Sequence, residues 1–349
     1  MAAPTTPTAD AGLLAAAQAG DEHAFARLVE PHSAQLHAHC YRMLGSLHDA
    51  DDALQDALVG AWKGLARFEG RSSLRTWLYT IATNACLSTV RRRPPRVVPR
   101  GYAVAADPHA ELGPPLTDVP WLEPYPDERL ADAPAAGPEA RYDQREGVEL
   151  AFVAALQVLP ATQRAVLIMR EVLGFPAAEA ATVLGTSVAS VNSALQRARA
   201  ALDGRLPERT QAATRSALGD DRARALVDRF VRAWEQADVA DILDLLAEDA
   251  VFTMPPLPAW FDGRDAVAAF LRDRVFALTW RYRVISLSGQ PALVCYQGDP
   301  DTGEFRLGAV NVLSFAPDGG RFGAIDAFLD PAVHARLGVP PDAPDAPPP

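Results

Sequence analysis

Cysteine, long apolar runs and a secretory leader are scarce or missing in this sequence, and each gap excludes a class of protein. Only three cysteines occur among 349 residues, and Cys40, Cys86 and Cys295 are too widely spaced for a CxxC motif or a zinc-ligand cluster. No apolar run approaches the roughly 20 residues that cross a bilayer. The N-terminal MAAPTTPTAD has no cationic stretch followed by an apolar segment. We therefore expect a cytoplasmic protein with reduced thiols, no metal and no membrane span.

Positive charge is also in deficit, because 33 Lys and Arg residues stand against 44 Asp and Glu residues and give a formal net charge of −11. This deficit is unevenly distributed. Residues 21–100 hold 11 basic against 8 acidic side chains, and residues 149–209 hold 6 against 5. In contrast, residues 101–148 hold 3 against 10, and residues 210–349 hold 13 against 20. The two segments with a small excess of basic residues, 21–100 and 149–209, are the candidates for contact with nucleic acid.

Proline divides the chain into segments. The stretch from RRRPPRVVPRG to ADAPAAGPEA carries a proline every few residues and has no helical or strand period, which predicts a linker. A length of 349 residues favours two or three domains. We predict six segments: a disordered tail over 1–19, a helical domain over 20–96, an acidic linker over 97–146, a helix-turn-helix domain over 147–208, an α+β domain over 219–335 and a disordered tail over 336–349.

The first domain is predicted to be helical throughout. In LHDADDALQDALVGAWKGLARF the apolar residues recur at three- and four-residue steps, which predicts one inward stripe. The opposite, outward face is predicted to carry Asp49, Asp52, Gln55, Asp56 and Lys63. A second amphipathic helix, LRTWLYTIATNACLSTVRRR, follows a Ser-capped turn. Its three terminal arginines suit either the negative end of the helix dipole or a phosphate backbone, and the sequence leaves both open.

Residues 149–206 predict four short helices. The last two, PAAEAATVL and SVASVNSALQRARAAL, are separated by a turn at Gly185, which is the plan of a helix-turn-helix unit. Ser187 is placed to cap the final helix. The apolar stripe predicted to be buried consists of Val188, Val191, Leu195, Ala198 and Leu202. The outward set, whose side chains suit base edges and phosphates in a major groove, consists of Ser190, Asn192, Ser193, Gln196, Arg197 and Arg199.

The C-terminal segment has a different pattern. One long helix, DRARALVDRFVRAWEQADVADILDLLAEDAVF, is predicted ahead of four stretches with near period-two alternation, RYRVISLSG, PALVCYQ, GEFRLGAVNVLSF and GRFGAIDAF. The breaks GDPDTG and APDGG are typical of hairpin turns. A helix followed by a curved antiparallel sheet predicts an α+β domain.

The order of these pieces resembles a bacterial RNA polymerase sigma factor of the extracytoplasmic-function (ECF) type. The resemblance is carried by DADDALQDALVGAWKGLARFEGRSSLRTWLYTIATNACLSTVRRR, a variable linker, and LPATQRAVLIMREVLGFPAAEAATVLGTSVASVNSALQRARAAL. It implies two all-α sigma domains. The first would dock on the clamp helices of the largest polymerase subunit and recognise the −10 promoter element, and the second would recognise the −35 element. The linker sequence WLEPYPDERL resembles a segment of those ECF factors that carry a C-terminal extension.

This resemblance also assigns roles to individual residues. The implied polymerase contacts are Asp51, Asp52, Gln55 and Asp56, which without the resemblance would be a solvated helix face. The implied −10 contacts are Trp77, Tyr79, Thr80 and Asn84, with Arg91, Arg92 and Arg93 on phosphates. Trp77 either stacks on an unpaired base or belongs to the core. The implied −35 contacts are Ser187 and the outward set. Asn192 and Ala194 stand where many relatives carry basic residues, which predicts weak promoter binding without polymerase.

The stretch AWEQADVADILDLLAEDAVFTMPPLPAWFDGRDAVAAFL is similar to the SnoaL-like, cone-shaped α+β domains related to nuclear transport factor two. The predicted pocket consists of Trp234, Trp260, Asp262, Trp280, Tyr282, Tyr296 and Asp326. The aromatic residues are either ordinary core or the wall of a ligand-sensing pocket. Alternatively, Asp262 or Asp326 would serve as the acid or base of a cyclase or isomerase. The fold alone does not decide between these.

Together these observations predict a promoter-specificity subunit that is not an enzyme and whose partners are core RNA polymerase and promoter DNA. No phosphate-cradling glycine loop is present, so we expect no cofactor. The C-terminal domain is expected to be regulatory, and an anti-sigma factor or a small-molecule ligand of that domain would be a further partner. A DNA-binding repressor that works without polymerase and a working cyclase or isomerase remain as rivals. Neither rival explains the acidic helix.

Overall fold

The computed structural model describes residues 8–131 and 147–343, and within these ranges the chain forms two compact units. The first unit contains residues 8–95, 128–131 and 156–203, and the second contains residues 96–127, 147–155 and 204–343. The predicted tails and linker extend over residues 1–7, 132–146 and 344–349, which lie outside the described residues. Among the described helices, none is long and apolar enough to cross a membrane.

The described helices are α1 (Thr8–Gln18), α2 (Glu22–Leu44), α3 (Leu47–Leu65), α4 (Leu74–Val90), α5 (Pro99–Tyr102), α6 (Glu128–Ala131), α7 (Leu150–Leu156), α8 (Ala161–Leu167), α9 (Ala177–Val183), α10 (Val188–Leu202), α11 (Gln211–Leu218), α12 (Asp220–Glu235), α13 (Val239–Leu245), α14 (Arg264–Phe270) and α15 (Pro331–Arg336). The described strands are β1 (Leu246–Thr253), β2 (Trp260–Asp262), β3 (Trp280–Leu287), β4 (Gln290–Gly298), β5 (Phe305–Phe315) and β6 (Phe322–Phe328).

Side-chain caps fix where the helices of the first unit begin. Asp21, Ser46 and Ser73 each accept hydrogen bonds from backbone N–H groups in the first turns of α2, α3 and α4. Helix α2 ends at Gly45, whose φ of 69° lies in the left-handed region that favours glycine. The buried face of α3 is made mostly of small residues, Ala50, Ala53, Ala57 and Ala61. These alanines let neighbouring helices approach closely and form a tight helical core.

Residues 8–18 form α1, so the prediction of a disordered tail over residues 1–19 was wrong for this stretch. Ala17 is buried, and the side-chain amide of Gln18 donates to the carbonyl oxygens of Leu65 at 3.2 Å and Phe68 at 2.9 Å. The helix is held by an apolar patch that distant parts of the chain create. The local sequence gives no sign of that patch.

The four short helices predicted for residues 149–206 are confirmed as α7 to α10. Helix α8 continues into a π-helical turn over Ile168–Val172. Gly185, with a φ of 59°, forms the turn between α9 and α10. Ser187 caps α10 by accepting a hydrogen bond from the Ser190 N–H at 3.1 Å. The structure therefore has the predicted helix-turn-helix plan.

The second unit contains one six-stranded sheet in the order β2-β1-β6-β5-β4-β3. Neighbouring strands are antiparallel except β1 and β6, which are parallel. The prediction of a wholly antiparallel sheet was wrong for this pair, because β1 was assigned to a helix and enters the sheet beside the last strand. The predicted hairpins at GDPDTG and APDGG connect β4 to β5 and β5 to β6. Helix α12 packs on the sheet, with the rings of Phe230 and Phe322 4.9 Å apart.

The single long helix predicted from DRARAL to DAVF is not present as such. Helix α12 ends at Glu235, Ala237 takes a positive φ of 51°, and the Asp238 side chain caps a new helix, α13. The chain then continues as β1, where buried residues pair with β2 and β6. The apolar residues of β1 also fit a three- to four-residue helical period, which is why a helix was predicted there. Pairing with β2 and β6 decides in favour of a strand.

The predicted linker and C-terminal tail are partly ordered along the sheet domain. The backbone N–H groups of Ala106 and Leu116 donate to the carbonyls of Trp260 at 2.8 Å and Pro256 at 2.9 Å. Near the C-terminus, the N–H of Ala343 donates to Phe305 at 3.0 Å. The prediction of a disordered tail over 336–349 is therefore wrong up to residue 343. Such long-range backbone pairing leaves no local period in the sequence.

Candidate nucleic-acid and partner interfaces

The outward face of α3 presents Asp52, Gln55 and Asp56 as exposed side chains. Asp51, at the edge of this face, lies 3.0 Å from His37 Nε2 and accepts a hydrogen bond from Arg129 at 2.8 Å. The contact with His37, and then that with Arg129, lowers the pKa of Asp51 to about 2. The predicted polymerase contacts therefore lie together on one charged surface, and one of them is already engaged by Arg129.

Asp49 was predicted to share this outward face but is buried, with 3% of its surface exposed. It forms an ion pair with Arg93, as a buried carboxylate requires. Arg93 comes from the end of another helix, so the periodicity of α3 alone gives no sign of the pair. In the same arginine triplet, Arg92 donates to the carbonyl of Ser88 at 3.2 Å and Arg91 is exposed. The pair with Asp49 gives Arg93 a structural role.

The predicted −10 contacts on α4 lie in different environments. Asn84 is exposed, while the hydroxyl of Thr80 donates to the carbonyl of Thr76 at 2.8 Å. Trp77 is half-buried and packs on Phe68 with ring centroids 4.9 Å apart. This packing favours the core alternative for Trp77 in the present conformation.

Tyr79 is 1% exposed and does not present a free ring. Its ring contacts His39 on one side and Phe175 on the other, with centroid distances of 5.2 and 5.1 Å. Burial raises the pKa of the Tyr79 phenol. The prediction that Tyr79 is available to an unpaired base is therefore wrong for this conformation, because a residue from the helix-turn-helix domain covers it.

Two polar contacts join the same elements. The guanidinium of Arg75 donates to the carbonyl of Leu173 at 3.1 Å and lies 4.2 Å from the Phe175 ring centroid. The hydroxyl of Thr76 donates to the Glu179 carboxylate at 3.2 Å. Residues 173–179, which we call the covering turn, thus lie over the first half of α4. Sequence analysis missed this cover because its members are separated by about a hundred positions in the chain.

Arg164 provides a third link within the first unit. It is buried and donates to the carbonyls of Gln157 at 3.0 Å and Leu159 at 3.2 Å, and also to that of Met43 on α2. Burial lowers its pKa to about 10, and the guanidinium remains charged at neutral pH. Because these acceptors are backbone carbonyls, no residue pattern in the sequence predicts the link.

Helix α10 presents the polar face expected of a recognition helix. The exposed residues are Ser187, Ser190, Asn192, Ser193, Gln196, Arg197 and Arg199, as predicted. Arg199 forms an ion pair with Glu171 at 2.6 Å. Val188 was predicted to be buried but is 43% exposed, because it lies in the first turn of the helix. Ala194 is 6% exposed, so a basic residue at this position would not lie on the outward face.

Comparison with known proteins assigns these elements to families. The chain matches Sigma-70 region 2 over residues 28–94, Sigma-70, region 4 over residues 149–202, and the SnoaL-like domain over residues 227–333. The ECF RNA polymerase sigma factor SigG of Mycobacterium tuberculosis is 42% identical over 322 residues, which cover 90% of this chain and 84% of SigG. The chain belongs to the ECF family of RNA polymerase sigma factors.

Other relatives of this sigma factor are more distant. CnrH of Cupriavidus metallidurans is 34% identical over 200 residues, covering 57% of this chain and 94% of CnrH. The crystal structure of the M. tuberculosis ECF sigma factor SigJ matches with a TM-score of 0.55 at 21% identity, covering 87% of this chain and 95% of SigJ. That likeness shows a shared fold that includes the C-terminal domain.

In the C-terminal domain of the sigma factor, a cavity of about 330 Å³ opens at one face of the sheet. Trp234 and Trp280 line it, as predicted, but five other predicted pocket residues do not. Trp260 donates instead to the carbonyl of Ala103 at 2.8 Å, and Asp262 is exposed on the edge strand β2. The predicted pocket was therefore wrong in most of its members.

The remaining three predicted residues lie outside the cavity; Tyr282 and Tyr296 are buried and Asp326 is half-buried. Tyr282 packs edge-on against Trp234 with a centroid distance of 5.9 Å. Tyr296 and Asp326 follow and precede the cavity-lining residues Cys295 and Ala327. Side chains alternate along a strand, so these two face the opposite side of the sheet. Asp326 accepts a hydrogen bond from the Thr253 hydroxyl at 2.8 Å, and burial raises its pKa.

Proposed function

We propose that this sigma factor binds core RNA polymerase in the cytoplasm, directs it to a particular class of promoters, and uses its SnoaL-like domain for regulation. The observation that carries the proposal is the mostly polar exposed face of α10, which follows a helix-turn-helix turn in a chain that is 42% identical to SigG. Amide, hydroxyl and guanidinium groups on this face suit direct contact with base edges and phosphates.

The residues proposed for each contact follow from their exposure. Asp51, Asp52, Gln55 and Asp56 would meet the polymerase. Asn84, Arg91 and Arg92 would meet the −10 region, and Ser190, Asn192, Ser193, Gln196 and Arg197 the −35 region. With only two arginines, Arg197 and Arg199, on the recognition face, phosphate attraction is weak. Promoter affinity then comes mainly from the assembled polymerase.

We propose that the contacts between the covering turn and α4 hold the first unit in a closed form. In this form Phe175 covers Tyr79, and Arg75 and Thr76 are bonded to the covering turn. Tyr79 can stack on an unpaired base only after the covering turn leaves α4. Polymerase binding would supply the differential affinity that shifts the equilibrium toward the open form.

We also propose that the SnoaL-like domain is not catalytic. Enzymes of this fold need a poised acid or base, yet the described residues that line the cavity include no carboxylate and no histidine. Asp326, a half-buried carboxyl outside the cavity, accepts a hydrogen bond from the Thr253 hydroxyl instead. An anti-sigma factor is a further candidate partner, because the relative CnrH has been solved in complex with the cytosolic domain of CnrY.

In-vitro transcription with the purified chain and core polymerase over a promoter library tests the main proposal. We expect initiation at a promoter subset only when both proteins are present, and weak promoter binding by the chain alone in a gel-shift assay. Tight operator binding without polymerase, together with no transcription in its presence, would support the repressor instead. Turnover of a small molecule that falls when Asp326 becomes Asn would support the enzyme.

A further inference from the structure

The cavity of the SnoaL-like domain has the size and lining of a small-molecule site. Its volume of about 330 Å³ falls in the range of ligand pockets. Most of the wall is apolar, as shown by Phe252, Met254, Leu257, Phe270, Ala309 and Leu329. Arg274, the charged side chain among the described lining residues, already donates to the Ala110 carbonyl at 2.7 Å, so a charged ligand would lose its hydration without gaining a free partner. The wall therefore suits a neutral, mostly apolar molecule.

Two polar atoms in the wall are buried without a hydrogen-bond partner among the described residues. One is the indole Nε1 of Trp234, and the other is the side-chain oxygen of Asn311. The two residues are 3% and 2% exposed. Buried polar groups are nearly always satisfied in native proteins. A donor and an acceptor that both lack a partner in one cavity indicate a ligand with an acceptor and a donor of its own, and a hydroxyl group supplies both.

Part of the linker, residues 107–115, runs along the cavity between the backbone hydrogen bonds of Ala106 and Leu116, and we call it the closing segment. Leu112 contributes to the lining. Close to Leu112 in the sequence, Ala110 accepts a hydrogen bond from Arg274 at 2.7 Å, and His109 Nδ1 lies 3.0 Å from the Asp273 carboxylate. These contacts are solvent-exposed and therefore weak. A ligand that fills the cavity competes with Leu112 for the same apolar surface.

From these observations we infer that the cavity binds a neutral, hydroxyl-bearing apolar molecule and that binding displaces the closing segment. This inference rests on the proposed regulatory function of the domain, because the closing segment belongs to the linker between the region 2 and region 4 domains. Farther along the same linker, Arg129 holds Asp51 on the polymerase-contacting surface.

A matched pair of probes tests the binding step on the full-length chain. 2-Naphthol and 2-methylnaphthalene have nearly the same shape, and only the first carries a hydroxyl. We expect isothermal titration to give at least tenfold tighter binding of 2-naphthol. Asn311→Leu and Trp234→Phe should each reduce this preference to less than threefold. Tyr296→Phe, which removes a buried hydroxyl outside the cavity, is the control that should keep it.

The displacement step is tested by cleavage after Glu111, which is exposed next to Leu112. With a glutamate-specific protease and mass spectrometry, cleavage at this site should be at least threefold faster with 2-naphthol than without. Leu112→Ala should bind 2-naphthol more tightly than the wild type, because the competing side chain is shortened. Thermal unfolding of each variant identifies any that do not fold. If either Asn311→Leu or Trp234→Phe does not fold, the other of these two variants tests the binding preference.

Equal binding of the two probes, or no binding of either, would overturn the inferred ligand class. Preferential binding with unchanged cleavage after Glu111, or weaker binding by Leu112→Ala, would overturn the displacement. None of these measurements contains polymerase, so they can fail while the chain still programs transcription. Conversely, a chain that binds 2-naphthol but never directs transcription would refute the proposed function alone.

Discussion

The ring of Tyr79 lies edge-on against the ring of Phe175, with centroids 5.1 Å apart. The first residue belongs to the helix that matches sigma region 2, and the second belongs to the domain that matches region 4. An aromatic pair of this geometry contributes about 0.5–1.5 kcal/mol beyond the area it buries. The contact therefore stabilises a form in which the ring that would stack on an unpaired base is covered.

Loosening this cover should favour the open form. We expect Glu179→Ala, which removes the acceptor for the Thr76 hydroxyl, to increase the affinity for core polymerase by a few-fold, because less energy is needed to separate the domains. Fluorescence anisotropy with labelled sigma factor measures this affinity. Glu208→Ala, a change at an exposed glutamate beyond α10, should have no effect. A lower affinity for Glu179→Ala than for the control would contradict the closed form.

In the proposed interface, Arg129 competes with the polymerase for Asp51, so we expect Arg129→Ala to tighten core binding as well. The structural reason is that Asp51 loses its 2.8 Å contact with the guanidinium while keeping the one with His37. Competition binding against an unlabelled ECF factor measures the change. In Asp51→Asn the same Arg129 substitution should have no effect, since the competing ion pair is already lost. An equal effect in both backgrounds would exclude competition for Asp51.

The low pKa of Asp51 predicts a pH dependence of stability. Its pKa is lowered from 3.8 to about 2 in the folded state, so the ionised carboxylate stabilises the fold above pH ~4 and loses this contribution as pH falls toward ~2. Asp51→Asn should therefore unfold at lower urea concentration than the wild type at pH 7, and the difference should shrink below pH ~4. Asp52→Asn, on the exposed face of the same helix, is the control. A difference that is constant with pH would exclude the Asp51 linkage.

Gln196 is a candidate base contact on the exposed face of α10. Loss of a bidentate base contact typically removes about 1–3 kcal/mol of discrimination. Gln196→Ala should therefore relax the preference for one position of the −35 element in transcription from a randomised promoter library. Arg205→Ala, just beyond the helix, should leave the preferred sequence unchanged. The assignment is wrong if Gln196→Ala lowers all promoters equally, because a phosphate contact carries no sequence information.

Arg164 is predicted to be essential to the stability of the first unit. Arg164→Met removes the donor to the carbonyls of Leu159 and Met43, and each buried unsatisfied group costs about 1–3 kcal/mol. Urea unfolding followed by circular dichroism should show a loss of several kcal/mol for this variant. Arg197→Met, an exposed arginine in the same domain, should be nearly neutral. Equal stability of the two variants would contradict the structural role of Arg164.

Local periodicity predicted the helices, the helix-turn-helix and the polar face of α10, because each depends on residues within a few turns of one another. It failed where a distant residue decides the outcome. The period of α3 alone placed Asp49 outward, but Arg93, three residues beyond the end of α4, pairs with it; Tyr79 was predicted to be available to a base, but Phe175 covers it. Dependence on distant residues also explains why the predicted pocket was wrong in most of its members. Asp262 and Trp260 carry suitable chemistry, yet the pairing of β2 with β1 turns them away from the cavity.

The three thiols described at the start share one property, since Cys40, Cys86 and Cys295 are all buried. A hydrogen bond with Cys40 and burial raise the pKa of Cys86, and burial raises that of Cys295. Protonated and shielded sulfur reacts slowly with peroxide or alkylating agents. We therefore expect the cysteines of the folded sigma factor to resist oxidation. The rate at which a maleimide labels each cysteine then measures how often the surrounding domain unfolds locally.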